Sequence, residues 1–141
     1  MSGMLIVGAG LAGLTVAESL RSDGYDGPIT LVGAEPHAPY QRPPLSKAFL
    51  LGEAKEAQLA MRPAELYAKK GIELRLDTEA KAVDRAARLV RLADGSTLGY
   101  QGLALCTGAR LRPLPLDGAQ WQGVFGLRTL DYAQTQAGAL D

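Results

Sequence analysis

The sequence has little of what most metal and thiol sites are built from: one cysteine, one histidine and one tryptophan in 141 residues, with aromatics at 6%. Cys106 alone can form neither an internal disulfide nor an internal thiol pair, a pattern that suits a reducing compartment, so the expected location is the cytoplasm. His37 has no partner ligand near it in the sequence and reads as a loop histidine, and no metal site is expected. Charge of one sign is also missing. Fifteen Lys and Arg balance fifteen Asp and Glu, so no long-range field would draw the chain to nucleic acid or to an anionic membrane. No apolar run approaches the roughly 20 residues needed to cross a bilayer. The N-terminal MSGMLIVGAGLAGL is apolar, yet it has no basic n-region and glycines interrupt it, so it reads as structure rather than as a leader.

What is present is hydrophobic content of 47%, enough for one compact core. It is distributed in a regular alternation. MLIV at 4–7 is a wholly apolar run before a glycine cluster, as expected of a strand buried on both faces. Leu11, Leu14, Ala17 and Leu20 then recur at three-residue spacing, and SDGYDGP stops the implied helix. ITLV at 29–32 is a second buried strand, which completes a βαβ unit. PAELYAKKG predicts a short helix with Pro63 at its first position, and IELRL at 72–76 a third strand. The period then changes. EAKAV, ARLVRL and TLGY, the last two separated by ADGS, predict an antiparallel three-stranded meander. GLALC at 102–106 returns to a fully apolar strand, with Cys106 as a small core residue. The predicted fold class is α/β: a Rossmann-like βαβ with a parallel sheet plus an antiparallel β-meander.

GAGLAG at 8–13 matches G-x-G-x-x-G directly after a buried strand and at the start of a helix. Gly8 permits a tight turn, Gly10 lets a pyrophosphate approach the backbone without meeting a Cβ, and Gly13 lets helix and strand pack closely. The N–H groups around Leu11 and Ala12 would face the anion at the positive end of the helix dipole. Glu35 stands 22 positions beyond Gly13, just past the second strand, where a carboxylate accepts hydrogen bonds from a ribose. The residues predict a dinucleotide site and leave NAD and FAD both open.

A proline-stiffened basic stretch follows, APYQRPPLSKAFL at 38–50. By itself it is an ordinary surface turn. Together with GAGLAG, DGSTLGYQGLALCTGARLRPLP and LRTLDYA, in this order, it resembles the FAD-dependent reductases that serve bacterial oxygenases and cytochromes P450. These are the putidaredoxin-reductase-like and dioxygenase ferredoxin-reductase enzymes, and the resemblance covers nearly the whole chain. It implies an FAD-binding portion of an NADH-dependent ferredoxin or rubredoxin reductase, with residues 1–112 as the first segment of an FAD-binding domain. Residues 113–141 would connect toward an NAD-binding domain that the sequence does not include. It implies iron–sulfur proteins, ferredoxin or rubredoxin, as partners. Read this way, the chain is an incomplete domain of a much longer protein, expected to be inactive alone and to self-associate. Other readings are a different two-dinucleotide flavoenzyme, such as a nitrite reductase subunit, and a non-catalytic dinucleotide-binding module.

The resemblance also implies roles. Lys47 matches the lysine beside the isoalloxazine, where an ammonium would stabilise charge on a reduced flavin, and it is the catalytic candidate. Arg42 would serve the phosphate and ribose side of FAD with a planar fork of donors, on a backbone set by Pro43 and Pro44. Ala80 matches a position whose main chain meets the adenine; Thr107 and Gly108 pass close to the flavin; Arg128 matches an arginine of the FAD site. Tyr40 reads either as a flavin contact or as a packing aromatic, while Trp121 and Phe125 are expected to pack a closing segment. In two places the sequence departs from its relatives. An acidic residue is common where Ala34 stands, which leaves the ribose to Glu35. The redox cysteine that related disulfide reductases carry in the loop of residues 37–47 is missing, so thiol chemistry at the flavin is not expected.

Overall fold

The computed structural model describes residues 3–137. In chain order these form β1 (Met4–Val7), α1 (Leu11–Ser22), β2 (Ile29–Val32), α2 (Ala64–Lys69), β3 (Ile72–Arg75), β4 (Ala80–Asp84), β5 (Leu89–Leu92), β6 (Thr97–Gly99), β7 (Gly102–Leu105) and α3 (Leu130–Ala137). Two short 3₁₀ turns, Pro43–Ser46 and Glu56–Gln58, lie between β2 and α2. The chain divides into two compact units, Met1–Tyr40 with Met61–Gly108, and Gln41–Ala60 with Ala109–Asp141.

The first unit is a Rossmann-like α/β layer structure. Its parallel sheet has the order β3-β2-β1-β7, and β4-β5-β6 form a separate antiparallel sheet. Ile6 of β1 lies opposite Leu31 of β2 and Ala104 of β7, which fixes the register around the central strand. Successive strand residues face opposite sides of a sheet, and here both sides are covered. Ile6, Ile29 and Leu31 join Leu14 and Ala17 of α1, Tyr67 of α2 and Ile72 of β3 in one buried cluster. Leu5, Val7 and Val32 pack on the other face against Val90 and Leu92 of the meander. Hence MLIV is apolar at every position rather than at alternate ones, and so is ITLV except at Thr30, whose hydroxyl donates to Glu73 Oε2 at 3.0 Å.

β7 departs from the expected full burial. Leu103 packs with the meander cluster, while Ala104 and the half-buried Cys106 pack with the helix-side cluster. Leu105 is 63% exposed. Among the described residues β7 is the edge strand of its sheet, with a neighbour on one side only, and cover is thinner there. Pro63 stands one position before the first helical residue of α2, as its N-cap.

Arg21, in the last turn of α1, ties two chain reversals together. Its Nε donates to the Lys70 carbonyl at 2.7 Å, Nη1 to the carbonyls of Tyr25 (2.6 Å) and Gly27 (2.8 Å), and Nη2 to Gly71 at 2.8 Å. A lysine offers one point charge on a flexible stem and cannot reproduce this fork. Arg21→Lys should therefore destabilise the unit by about 2 kcal/mol, since carbonyls lose a charged donor. A urea titration that places the variant within error of the parent would refute this role.

Glu18 on α1 accepts from Arg62 Nε and Nη2, both at 3.0 Å, and from Lys70 Nζ at 2.8 Å. The Arg62 hydrogen bond, then that of Lys70, holds its carboxyl below the ordinary glutamate value. A carboxyl that is more acidic in the folded chain than in the unfolded one contributes stability above its unfolded pKa and loses it as pH falls through the folded value. Thermal stability should therefore drop on acidification through and below the usual carboxylate range, and Glu18→Gln should show a shallower drop from a lower neutral-pH starting point.

In the second unit, Pro43–Ser46 is a 3₁₀ turn with its two prolines at the first positions and Leu45 buried. α3 packs beside that turn and buries Leu130, Ala133 and Gln136, which share one face at three-residue spacing. The Gln136 amide donates to the Gly126 carbonyl at 2.8 Å. Trp121 and Phe125 do not pack a closing segment here: they are 70% and 55% exposed. The stretch around them is a succession of turns, with Gly118 and Gly123 at positive φ, and presents no regular face under which large rings could be buried. Among the described residues no helix is long and apolar enough to cross a membrane.

Candidate functional site

The glycine motif lies where β1 enters α1, and its three glycines are held for different reasons. Gly8 has φ 118°, a region that L side chains rarely adopt, and a Cβ on it would overlap the Cys106 carbonyl oxygen. Its N–H donates to the Val32 carbonyl at 2.7 Å, and the Cys106 N–H donates to Val7 at 2.7 Å, so the turn is clamped by the ends of β2 and β7. A Cβ on Gly13 would overlap the Gly8 carbonyl oxygen and stand 3.0 Å from Leu31 Cδ1. Both positions are required by the protein itself.

Gly10 is different. It is the N-cap of α1, with φ −108° and ψ −167°, extended backbone open to any residue, and a Cβ there would meet nothing within 4 Å. Its carbonyl accepts the first helical bond, from Leu14 N–H at 3.0 Å, and no side chain caps the helix. The N–H groups of the first turn thus open onto unfilled space at the positive end of a 12-residue helix. Leu11 and Ala12 are both exposed there. An anionic group that must come against backbone would need this arrangement.

Other candidates of the first unit gather at the same, carboxyl ends of the parallel strands, where open α/β sheets take their ligands. Thr107 and Gly108 follow β7 directly and are exposed, with Gly108 at φ 69°. Glu35 follows β2, half-buried, beside an exposed Ala34. Its carbonyl accepts the Asp77 N–H at 3.0 Å and that of Gly33 accepts Thr78 N–H at 2.8 Å, which pins the loop. Tyr40 is 6% exposed, and its hydroxyl donates to Glu35 Oε2 at 2.6 Å. The sequence left Tyr40 open between ligand and packing; it is a buried ring with a carboxylate partner. Ala80 opens β4 opposite Leu92, at an irregularity between Ala80 and Ala82, and packs with the Leu5 cluster.

The second unit holds the remaining three. Arg42 precedes the Pro43–Ser46 turn, and its Nη1 donates to the Arg128 carbonyl at 2.9 Å. Arg128 Nε donates to the Ala109 carbonyl at 3.1 Å. Lys47 ends the turn, its N–H bonded to Pro44 at 3.0 Å and its side chain exposed. The Arg42–Arg128 link joins residues 86 apart, and no local pattern in the sequence announces it. Among the described residues no group of three His, Cys, Asp or Glu side chains could hold a metal ion.

Residues 3–138 match the family described as pyridine nucleotide-disulphide oxidoreductase. The chain belongs to that family. Within it, the chain is 46% identical over 132 residues to rhodocoxin reductase of Rhodococcus erythropolis, which covers 94% of this chain and 31% of that protein. It is 40% identical over 131 residues to a rubredoxin-NAD(+) reductase of Pseudomonas putida, covering 93% of this chain and 34% of that one. The solved putidaredoxin reductase in its covalent complex with putidaredoxin superposes with a TM-score of 0.89 at 40% identity, over 99% of this chain and 34% of that one. The chain thus spans about a third of the length of these relatives.

The contrast among the family's glycines can be tested without ligand. Gly13→Ala gains about 1 kcal/mol of helix propensity. It also forces a Cβ into the Gly8 carbonyl, which only a backbone shift can relieve, so the net effect should be a loss of about 2 kcal/mol. Gly10→Ala should cost no more than about 1 kcal/mol, the difference between glycine and alanine as an N-cap. Equal unfolding midpoints for the two variants would contradict this division.

Proposed function

We propose that this chain supplies the FAD-binding part of an NADH-dependent ferredoxin or rubredoxin reductase, which passes electrons from NADH through FAD to an iron–sulfur protein in the cytoplasm. The observation that carries the reading is the open space before Gly10 at an uncapped helix N-terminus, flanked by two glycines that the fold itself requires. That is a cradle a Cβ would fill. The names of the relatives, as rhodocoxin and rubredoxin reductases, favour this over a nitrite reductase subunit or a non-catalytic module. The putidaredoxin complex supports an iron–sulfur partner.

FAD, when bound, would accept two electrons as hydride and release them singly, which a one-electron acceptor requires. The chain's own residues would bind and orient it. The first-turn N–H groups at Leu11, Ala12 and Gly13 would hold the pyrophosphate, and Gly8 would shape the turn that presents them. Glu35 would accept from the adenosine ribose, and the main chain at Ala80 would border the adenine. Thr107 and Gly108 would let the backbone pass close to the ring system. Arg42, oriented by the Arg128 carbonyl, would donate to phosphate and ribose oxygens, with Arg128 itself adding charge at the FAD site. Lys47 would place an ammonium where negative charge develops on the ring.

Gly10→Val decides the cradle. The branched side chain enters space that no protein atom uses, so the variant should keep the parent's circular dichroism and nearly its thermal midpoint, while binding of both ADP and FAD falls by several powers of ten. A folded Gly10→Val protein that retains either ligand at the parent's affinity would overturn the reading.

A further inference from the structure

Tyr40 has no assigned part in the scheme above, yet it ends on the one side chain of the first unit proposed to read the ribose. We propose that Tyr40 is a positioning residue, whose phenol holds the Glu35 carboxylate in the orientation that accepts the 2′-hydroxyl of the adenosine ribose. The proposal rests on the dinucleotide-binding reading and adds a determinant of ribose specificity to it.

Geometry supports this at three levels. The hydroxyl donates to Glu35 Oε2 at 2.6 Å, within the short range of O–H···O⁻ bonds, which are about twice as strong as neutral ones. The donor is itself fixed. The Tyr40 ring is 6% exposed, and the His37 ring meets it edge-on at 6.0 Å between centroids and 88° between planes. The backbones carrying both groups are also pinned: Glu35 by the Asp77 N–H at 3.0 Å, and Pro39, next to Tyr40, by the Met61 N–H at 3.0 Å. A glutamate has three side-chain torsions, and ordering them on binding costs affinity. Glu35 reaches the strand end with its carboxylate already oriented.

The choice of a phenol is informative. Tyrosine contributes one donor and no charge of its own. A carboxylate has about four lone-pair sites. The Tyr40 hydroxyl takes one of these and holds the group's orientation, and carboxylate acceptor sites suit the hydroxyls of a neutral diol.

The test is a cycle on both protein and ligand. Parent, Tyr40→Phe, Glu35→Gln and the double variant are titrated calorimetrically with ADP and with 2′-deoxy-ADP, and the fold of each is followed by thermal unfolding. The parent should prefer ADP by about tenfold, the worth of one charge-assisted hydrogen bond. Tyr40→Phe, which keeps the buried ring, should weaken ADP roughly five- to tenfold, leave 2′-deoxy-ADP unchanged, and have no further effect in the Glu35→Gln background. A purely structural role for Tyr40 would weaken both ligands alike and would persist without the carboxylate; either result overturns the proposal. Because both ligands are measured on the same protein, a lowered melting temperature does not blur the comparison. Gly10→Val separates this from the underlying reading. If that variant binds ADP as the parent does, the cradle fails; if it abolishes binding while Tyr40→Phe leaves the ADP to 2′-deoxy-ADP ratio intact, the cradle stands and only the role of Tyr40 falls.

Discussion

Three stretches of backbone meet at the carboxyl end of β1, and the rest of the first unit is arranged around that meeting. The Cys106 carbonyl lies where a Gly8 side chain would be, and the Gly8 carbonyl where a Gly13 side chain would be. With these approaches, α1 starts directly above the central strand, and β7 runs beside β1 in register from Met4–Gly102 to Val7–Leu105. Any side chain at either glycine pushes backbone against backbone, which cannot rotate away as a side-chain tip could. The helix N-terminus, the end of β7 and the Glu35 loop after β2 are therefore brought to one end of the sheet by packing alone.

The meander has a supporting part in this. With α1 and α2 covering one face of the parallel sheet, Val90 and Leu92 supply the apolar cover for Leu5, Val7 and Val32 on the other. Both faces being closed, the strand ends are where polar backbone groups can meet a ligand. The second unit has a similar economy on a smaller scale. Two prolines set the Pro43–Ser46 turn, Leu45 anchors it, and the Arg42 guanidinium donates to the main-chain carbonyl of Arg128. Family membership and the likeness to reductases three times as long agree with the architecture of the first unit.

Much of this was legible in the sequence, for a physical reason. MLIV and ITLV form strands at the expected residues because burial on both faces demands a nearly continuous apolar run, broken only by Thr30, and such a run is a local pattern. The helix after GAGLAG and the turn at Asp94–Gly95 are likewise written within a few residues of themselves. The distinction among the three glycines was only half legible: their spacing announces a cradle, but which of them the protein needs for itself depends on where Cys106 and Leu31 come to rest. The four-carbonyl clasp of Arg21, the link from Arg42 to Arg128 and the Tyr40 hydroxyl on Glu35 were not legible, since the partners are chosen by the path of the chain between them. Exposure was misread where it depended on neighbours: Leu105, Trp121 and Phe125 are large apolar side chains, yet no element of the described structure lies over them. Composition and periodicity determined the elements and the kind of ligand end they make. Only the tertiary structure decided which side chains are held and which stand open, because burial and orientation are properties of what comes near a residue and not of the residue itself.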